Sequence, residues 1–372
     1  MAVPALDFHG RVTDAKRLRI GFIGCGSHSL RNIYACLQYV PVELAATCDL
    51  DGARAEAFAR QFGAPASYTD YRVMLDKERL DAVLVVTGYD VKGRPLYPPI
   101  ACGCLERGVH VWMEKPPADT TADVDRMRAA ARAAGRNVMV GFKKMFVPAN
   151  VKARELAADP AFGAIGLATF QYPMGVPTVD EIRRYRADEE GGKGVVGFLD
   201  HLCHPVSAML YLLGWPSTLT YQRSGTGAGV AAFDFPSGAL ATITFAHGAG
   251  WNGGMERTQL VGTRGRTIVV ENNIRLEMRH DPKLGYGDVP SFYAGGPGDV
   301  TAVWEPEFSL GQLYNKGLFI QGYWGELDEF ARSILAGRAP DRAGLDHAWQ
   351  ATRIFEAFAE GPGHRIDLGP SA

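Results

Sequence analysis

The sequence predicts an α/β fold in which a doubly wound parallel sheet is followed by an α+β domain with a large open, mainly antiparallel sheet. Short apolar runs alternate with helical patterns through the first part of the chain, and repeated β-α units are typical of parallel sheets. Later apolar runs follow one another across glycine turns, which is the pattern of antiparallel hairpins. We therefore expect two domains, over residues 1–145 and 146–372.

The composition argues against several classes of function. The 372 residues are 47% hydrophobic and 22% charged, as in ordinary globular proteins. A net charge of −2 provides no basic surface for nucleic acid and no polybasic segment for a membrane. Residues 1–17 have no signal-peptide core, and no stretch is expected to approach a membrane span. The six cysteines form no CxxC pair, so we expect reduced thiols in a cytoplasmic protein.

A glycine-rich turn follows the first predicted strand, which covers residues 18–24. Apolar residues at helical spacing come after the turn, so a helix is expected there. In a Rossmann dinucleotide-binding fold, Gly24 permits the tight turn and Gly26 lets the backbone approach a pyrophosphate at the helix N-terminus. Ser29 takes the third position and is small enough for close packing. The candidate cofactor-binding residues of the turn are Gly24, Cys25, Gly26, Ser27, His28 and Ser29.

The second predicted strand, 42–48, ends at Asp49, which lies 20 residues after Ser29. An acidic side chain at this spacing accepts hydrogen bonds from the adenosine ribose hydroxyls. Its charge would repel the 2′-phosphate of NADP, so the predicted cofactor is NAD. The alternative role for Asp49 is to cap the helix predicted over 52–62.

The β-α alternation continues to the end of the first domain. Thr87 ends the strand predicted at 82–87, across from the glycine turn, so Thr87 and Gly88 are candidates for the nicotinamide side of the cofactor. Thr87 is equally well explained as a β-branched strand residue. The remaining strands are predicted at 82–87, 109–113 and 137–141, and the helices from Asp70 to Leu75, up to Arg107, and at 121–134.

Lys115 is the second residue after the strand predicted at 109–113, in the segment Glu114-Lys115-Pro116. Open α/β sheets bind ligands beyond the carboxyl ends of their strands, and Pro116 directs the chain out of the sheet at this point. Glu114 and Lys115 are therefore expected beside a bound cofactor. Taken alone, Lys115 would be explained more simply as a surface lysine at a strand end.

The second half of the sequence predicts a broad sheet with helices before and after it. A sheet with one face in need of cover often pairs with a second subunit, so we expect a homo-oligomer, a dimer or a tetramer, formed through this sheet. Residues 281–300 are predicted to form a loop. Strands are predicted at 165–172, 218–223, 229–235, 239–247, 256–262, 266–271 and 273–279, and helices at 148–158, 321–336 and 345–359.

Asp200 and His204 are four residues apart in a segment with helical spacing. On a helix their side chains share one face. Pro205 is compatible with that helix only near its start or at a local kink. One alternative is that Asp200 caps the helix and His204 is a satisfied polar residue. A metal cluster of Asp200, His201, Cys203 and His204 is disfavoured because these side chains point to different helix faces, so no metal is predicted.

Together these motifs resemble the Gfo/Idh/MocA family of oxidoreductases, which includes glucose–fructose oxidoreductase and inositol dehydrogenase. The glycine turn, Glu114-Lys115-Pro116, Gly141-Phe142 and Asp200-x-x-x-His204 occur in family order over nearly the whole chain. The resemblance implies that Lys115, Asp200 and His204 are catalytic residues that meet beside the nicotinamide and contact the substrate.

The sequence departs from the family pattern at two places. The family usually has a Thr-Pro pair followed by a histidine, whereas Thr87-Gly88-Tyr89 opens a longer loop here and Tyr97 stands in the histidine's place. Residues 88–97 could therefore shape the substrate pocket. Lys143 and Lys144 lie where the family has substrate contacts, which makes Lys143 a candidate substrate-binding residue.

The predicted reaction is NAD-dependent oxidation, or the reverse reduction, at a ring secondary hydroxyl of a sugar, glycoside or cyclitol. In this hypothesis His204 is the general base and Lys115 stabilises the alkoxide. Alternatives are a glycoside-cleaving enzyme that oxidises its substrate transiently, and a non-catalytic NAD-binding sensor. Aromatic candidates for stacking on a sugar ring, each also explained as packing, are Tyr172, Tyr185, Trp251 and Trp324. Of these, Tyr172 is the predicted substrate-binding residue.

Overall fold

The computed structural model describes residues 16–187, 193–250, 256–280, 301–306 and 316–370. The chain forms two compact units. The first unit extends to Lys143 and takes in a later segment that ends at Arg353, and the second begins at Lys144 and takes in the chain from Ile354. The loop predicted at 281–300 and the candidate Trp251 lie outside the described residues.

The described elements follow the predicted order closely. The strands are β1 Leu18–Ile23, β2 Val42–Cys48, β3 Ala66–Tyr68, β4 Ala82–Val85, β5 His110–Met113, β6 Val138–Val140, β7 Ile165–Tyr172, β8 Thr218–Arg223, β9 Gly229–Asp234, β10 Leu240–Phe245, β11 Arg257–Gly262, β12 Arg266–Glu271, β13 Arg275–His280, β14 Ala302–Trp304 and β15 Ile366–Asp367. The helices are α1 Gly52–Phe62, α2 Tyr71–Lys77, α3 Tyr97–Leu105, α4 Thr121–Ala134, α5 Pro148–Ala157, α6 Val179–Arg186, α7 Lys193–Leu213, α8 Lys316–Ile320, α9 Tyr323–Leu335 and α10 Leu345–Ala357.

The first unit contains a six-stranded sheet in the order β3-β2-β1-β4-β5-β6. All of its strand pairs are parallel, which confirms the predicted parallel sheet. The order reverses at β1, between β2 and β4, and open α/β sheets bind ligands at such a reversal. The apolar runs of β4 and β5 are almost entirely buried because a parallel sheet is covered on both faces.

The segment after the glycine turn is helical, but it is not the regular helix that the apolar spacing predicts. Ser29–Ile33 forms a π-helix and Tyr34–Tyr39 a 3-10 helix. Ile33 and Tyr34 are adjacent in sequence and both buried, while Leu30 is exposed. The Tyr34 ring stacks against Phe22, with ring centroids 3.9 Å apart. The helix thus changes from π to 3-10 between Ile33 and Tyr34, two consecutive residues whose side chains are both buried.

The second unit contains a nine-stranded sheet in the order β14-β13-β12-β11-β7-β10-β9-β8-β15. Among the described strands of this nine-stranded sheet, the β7–β10 pair is parallel and the remaining pairs are antiparallel. This confirms the predicted open, mainly antiparallel sheet. The turns at Gly238 and Gly265 have left-handed φ values of 84° and 75°, which glycine adopts without strain.

Helix α7 is the long apolar helix of the second unit. Pro205 lies inside it, so a helix start near Pro205 is wrong and the helix begins well before that residue. In the described part of the chain α7 is also the one helix with the length and composition of a membrane span, over Gly194–Leu213. The sequence-based expectation that no stretch approaches a span is therefore incorrect. Since 72% of that window is buried inside the fold, α7 has the burial of a core helix.

Candidate active site

The glycine turn follows the carboxyl end of β1, at the reversal of the strand order. Gly24 has a φ of 100°, and a Cβ atom there would lie 1.9 Å from the Val86 carbonyl oxygen, so only glycine fits. A Cβ on Gly26 would meet nothing within 4 Å, which leaves its backbone open to a ligand. The Ser29 hydroxyl donates a hydrogen bond of 2.7 Å to the Gly24 carbonyl and thereby holds the turn.

Asp49 joins the end of β2 to the glycine turn. Its Oδ2 accepts a 2.8 Å hydrogen bond from the Cys25 backbone N–H, and its Oδ1 accepts one of 2.9 Å from the Asp51 N–H. The cap of α1 is Asp51, whose side chain accepts from two N–H groups of the first turn. The alternative that Asp49 caps this helix is therefore wrong. The Cys25 thiol is buried, and burial raises its pKa to about 11. Cys25 therefore contributes its backbone, and not its side chain, to the site.

A cavity of about 620 Å³ lies at the glycine turn and is lined only by residues of the first unit. Its size and mixed polarity suit a small-molecule site. The buried Thr87 Oγ1 has no hydrogen-bond partner in the structure and is available to a ligand. These features fit a dinucleotide. The cavity brings together eight of the predicted cofactor residues: Gly24, Gly26, Ser27, His28, Ser29, Asp49, Thr87 and Gly88.

Two arginines that the sequence reasoning missed line the same cavity, Arg54 and Arg72. An Arg54 guanidinium nitrogen lies 3.7 Å from Asp49 Oδ1 and is half exposed. The sequence feature that could have indicated Arg54 is its position in the first turn of α1, five residues after Asp49. The charge of Arg54 offsets part of the charge by which Asp49 would repel a 2′-phosphate.

Glu114 connects the segment around Lys115 to the glycine turn. It is buried; its Oε1 lies 2.8 Å from His28 Nε2, and its Oε2 accepts a 3.1 Å hydrogen bond from the Lys115 backbone N–H. A Cβ on Gly141 would lie 3.1 Å from Glu114 Oε2, so glycine leaves room for the carboxylate. Lys115 itself is half-buried and is the second residue after β5, at the strand end where it was predicted. Neither Glu114 nor Lys115 lines the cavity at the turn.

Lys143, predicted to contact substrate, is held by residues near the start of α9. Its Nζ donates hydrogen bonds of 3.0 Å to the Tyr323 hydroxyl and 3.3 Å to Gln321 Oε1. Glu326 of α9 is completely buried, and neither carboxylate oxygen has a hydrogen-bond partner in the structure. Burial raises the Glu326 pKa well above its ordinary value, and the charge of Glu114 adds to this while Lys143 opposes it. Glu326 was not predicted, although it lies on the apolar face of an amphipathic helix.

The loop 88–97 is well connected within the first unit. The Tyr97 hydroxyl donates a 2.7 Å hydrogen bond to the Thr87 carbonyl, so Tyr97 supports the backbone beside the cavity. Asp90 Oδ1 accepts from the N–H groups of Lys92 and Arg94, each at 2.8 Å. Arg94 in turn pairs with Asp119.

In the second unit, α7 presents a cluster of polar side chains to Tyr172 of β7. The His204 ring stacks on the Tyr172 ring, with centroids 5.7 Å apart. The Tyr172 hydroxyl lies 3.4 Å from His201 Nδ1, and His201 Nε2 lies 3.8 Å from Asp200 Oδ2. His201 was considered from sequence only as a metal ligand, so its contact with Tyr172 was missed. Within the described ranges no group of three or more His, Cys, Asp or Glu residues could hold a metal ion.

The aromatic candidates are differently placed. Tyr172 is buried, and its ring faces the His204 imidazole. Tyr185 is buried edge-on against Phe355, in agreement with its alternative role in packing. In the first unit the indole N–H of Trp324 donates a 3.2 Å hydrogen bond to the Tyr39 carbonyl.

Comparison with known proteins matches both halves of the chain to one family. Residues 18–142 match the GFO_IDH_MocA model, described as an oxidoreductase family with an NAD-binding Rossmann fold. Residues 150–268 match the GFO/IDH/MocA C-terminal domain.

Several known proteins are similar over most of their length. A dTDP-3,4-didehydro-2,6-dideoxy-alpha-D-glucose 3-reductase from Streptomyces antibioticus is 30% identical over 74% of this chain and 84% of its own. D-xylose 1-dehydrogenase (NADP(+)) 2 from Haloferax volcanii is 28% identical over 61% of this chain and 68% of its own. The crystal structure of a dehydrogenase from Chromobacterium violaceum superposes with a TM-score of 0.75 at 20% identity, covering 94% of this chain and 96% of that one.

Proposed function

The chain belongs to the GFO/IDH/MocA family of oxidoreductases and has an NAD-binding Rossmann domain, and we propose that it oxidises a ring secondary hydroxyl of a sugar, glycoside or cyclitol. The same site would also catalyse the reverse reaction, the reduction of the oxidised product. The family, fold class and cofactor expected from sequence are thereby confirmed. The observation that carries the proposal is the cavity at the glycine turn, with Asp49 and Thr87 on its wall.

The residues of that cavity define how the cofactor would be held. The open backbone at Gly26 would take the pyrophosphate. Asp49 would accept from the adenosine ribose hydroxyls, and Thr87 Oγ1 would bond to the nicotinamide side. Bound NAD supplies the acceptor for the hydride that leaves the substrate carbon.

Removal of the hydride from an alcohol requires removal of the hydroxyl proton, and we assign that step to His204. Imidazole titrates near neutral pH, and a positioned base contributes about 10²–10⁴-fold to the rate. Lys115 would donate a hydrogen bond to the reacting oxygen and stabilise the developing negative charge. Asp200 would orient the base or accept a hydrogen bond from a neighbouring hydroxyl. Lys143 and Tyr172 would complete the substrate contacts.

The substrate class is supported by relatives whose names specify carbohydrates. In addition, the sequence has no phosphate-binding cluster outside the glycine turn, which favours a neutral polyol.

The test is a screen for NAD and NADP reduction across aldoses, inositols and glycosides, with mass spectrometry of the products. We expect a ketone or lactone product that is two hydrogens lighter than one member of the panel. Release of an aglycone without net NADH would instead identify a glycoside-cleaving enzyme. NAD binding without conversion of any member would contradict the proposal.

A further inference from the structure

A buried ion pair in the second unit lies beside His204. Lys144 is almost entirely buried, and its Nζ pairs with Glu256 Oε2. Glu256 Oε2 also accepts a 3.0 Å hydrogen bond from the Asn273 side chain. A buried cation is costly unless it is paired, so Lys144 favours the charged form of the Glu256 carboxylate, the form that can accept a proton. Consistent with this, burial lowers the Lys144 pKa, and Glu256 acts in the opposite direction.

The pair and His204 share the wall of a small cavity. This cavity has a volume of about 20 Å³ and is lined by Lys144, Asn150, Tyr172, His204 and Glu256 among others. A cavity needs about 10–15 Å³ and two to four polar partners to hold one water molecule. Both conditions are met. Asn150, whose Oδ1 is buried without a hydrogen-bond partner in the structure, adds to the polar wall.

A base that takes a proton in each turnover must lose it before the next. Resting on the proposed role of His204, we propose that this proton leaves through a water molecule in the cavity to the Glu256 carboxylate. The imidazolium N–H gives its proton to the water, and the water gives one of its own to Glu256. His204 returns to its neutral form. The Glu256 side chain is 28% exposed, so the proton passes from it to solvent.

Lys144 is a positioning residue in this route. Its ammonium holds the Glu256 carboxylate in place and in the charged form that accepts a proton. Other titratable or charged groups near His204 are Asp200, His201 and Cys203 on α7, Tyr172 on β7, and Arg257 at the cavity. Of these, His201 together with Asp200 provides the alternative route for the proton to solvent, because the His201 side chain is 35% exposed.

The test compares Glu256→Gln with Glu155→Gln in the full chain. Glutamine keeps the size of the side chain but cannot accept the proton. Glu155 is the matched control, because it is an exposed glutamate of the same unit that is likewise paired with a lysine, Lys152. We expect Glu256→Gln to slow proton release, followed with an indicator dye, by roughly tenfold, less than the loss of a direct base. KM should be unchanged, and added imidazole buffer should restore the rate.

A second measurement does not depend on activity. The titration of the His204 imidazole, followed by NMR in the absence of substrate, should shift to lower pH in Glu256→Gln, because the imidazolium loses a nearby negative charge. If that variant fails to fold, Lys144→Met/Glu256→Gln removes both charges together. The double variant should also release protons slowly and regain the rate with imidazole.

The outcomes separate the two proposals. If Glu256→Gln matches Glu155→Gln in proton release and in the His204 titration, the exit through Glu256 is overturned. If proton release then slows in His201→Asn instead, the exit runs through His201. If the wild-type enzyme reduces no cofactor with any substrate, the proposed function fails, whereas the NMR titration still reports whether Glu256 and His204 are coupled.

Discussion

Lys115 is the residue on which the proposed chemistry depends most. Replacement by alanine removes the proposed donor to the reacting oxygen but leaves the cavity at the glycine turn intact, because Lys115 does not line it. We expect Lys115→Ala to lower kcat by about 10²–10³-fold or more, with NAD affinity unchanged in a fluorescence titration. Lys77→Ala, at an exposed lysine in the last turn of α2, is the control and should behave as wild type. Normal turnover in Lys115→Ala would refute the assignment.

The proposed role of His204 as general base can be tested through the pH dependence of the reaction. A general base must be unprotonated to act, so oxidation by the wild type should fall as pH drops through the imidazole titration. In His204→Ala we expect oxidation at neutral pH to fall by about 10²-fold or more and to rise with hydroxide concentration. Initial rates between pH 6 and pH 10 would measure this. A variant with the wild-type profile would exclude His204 as the base.

Glu326 is a residue whose burial predicts an effect on stability. Its pKa is raised in the folded protein, so folding becomes less favourable as pH rises from the unfolded pKa toward the folded one. Glu326→Gln removes that penalty and should stabilise the protein by on the order of 1 kcal/mol at pH 8, with little difference near pH 4. Thermal unfolding at both pH values measures it, and exposed Glu56→Gln is the control. A gain of the same size at both pH values would contradict the explanation.

The glycine turn is the element that the sequence predicted best, because its features are local. The hydroxyl of Ser29 and the cap Asp70 bind groups within a few residues along the chain, so the sequence pattern contains the reason for each. The contact of His28 with Glu114 joins residues far apart in the chain. No local pattern predicts such a pair, and the same holds for Tyr172 with His204.

The strands and the helix that were not predicted from the sequence also have a physical explanation. Strands β3 and β15 comprise three and two residues, too few to show an alternating pattern, and they exist through pairing with a neighbour. Helix α6 is strongly polar, yet it begins with a capping box between Thr178 and Glu181. That start signal was readable in the sequence and was overlooked.

The turn also allows a sharp test of cofactor binding. A Cβ at Gly26 meets nothing in the protein, so Gly26→Ala should fold with an unchanged Tm. The added methyl group would occupy the space where a pyrophosphate approaches the backbone, and we expect NAD to bind at least about tenfold more weakly, a loss of 1.4 kcal/mol. Gly194→Ala, also without a contact, is the control. Unchanged NAD affinity in Gly26→Ala would show that the cofactor does not bind against the turn.

At the scale of the whole molecule, the nine-stranded sheet is where we expect subunits to associate. Leu167 and Leu240 are direct cross-strand partners, and both are exposed in the single chain, by 42% and 52%. Val230, on the neighbouring strand, is exposed as well. Exposed apolar groups on one sheet favour cover by a second copy. Analytical ultracentrifugation should find a dimer or tetramer, which Leu240→Glu weakens. A wild-type monomer at micromolar concentration would contradict this.

The most direct test of the central claim follows a labelled hydrogen from substrate to cofactor. The substrate identified by the screen is prepared with deuterium on the reacting ring carbon, and the NADH formed is analysed by mass spectrometry. We predict that the deuterium appears on the nicotinamide ring of NADH, one mass unit heavier, and that Lys115→Ala forms almost none. NADH without the label, or a labelled product formed without any NADH, would contradict hydride transfer from a ring secondary alcohol.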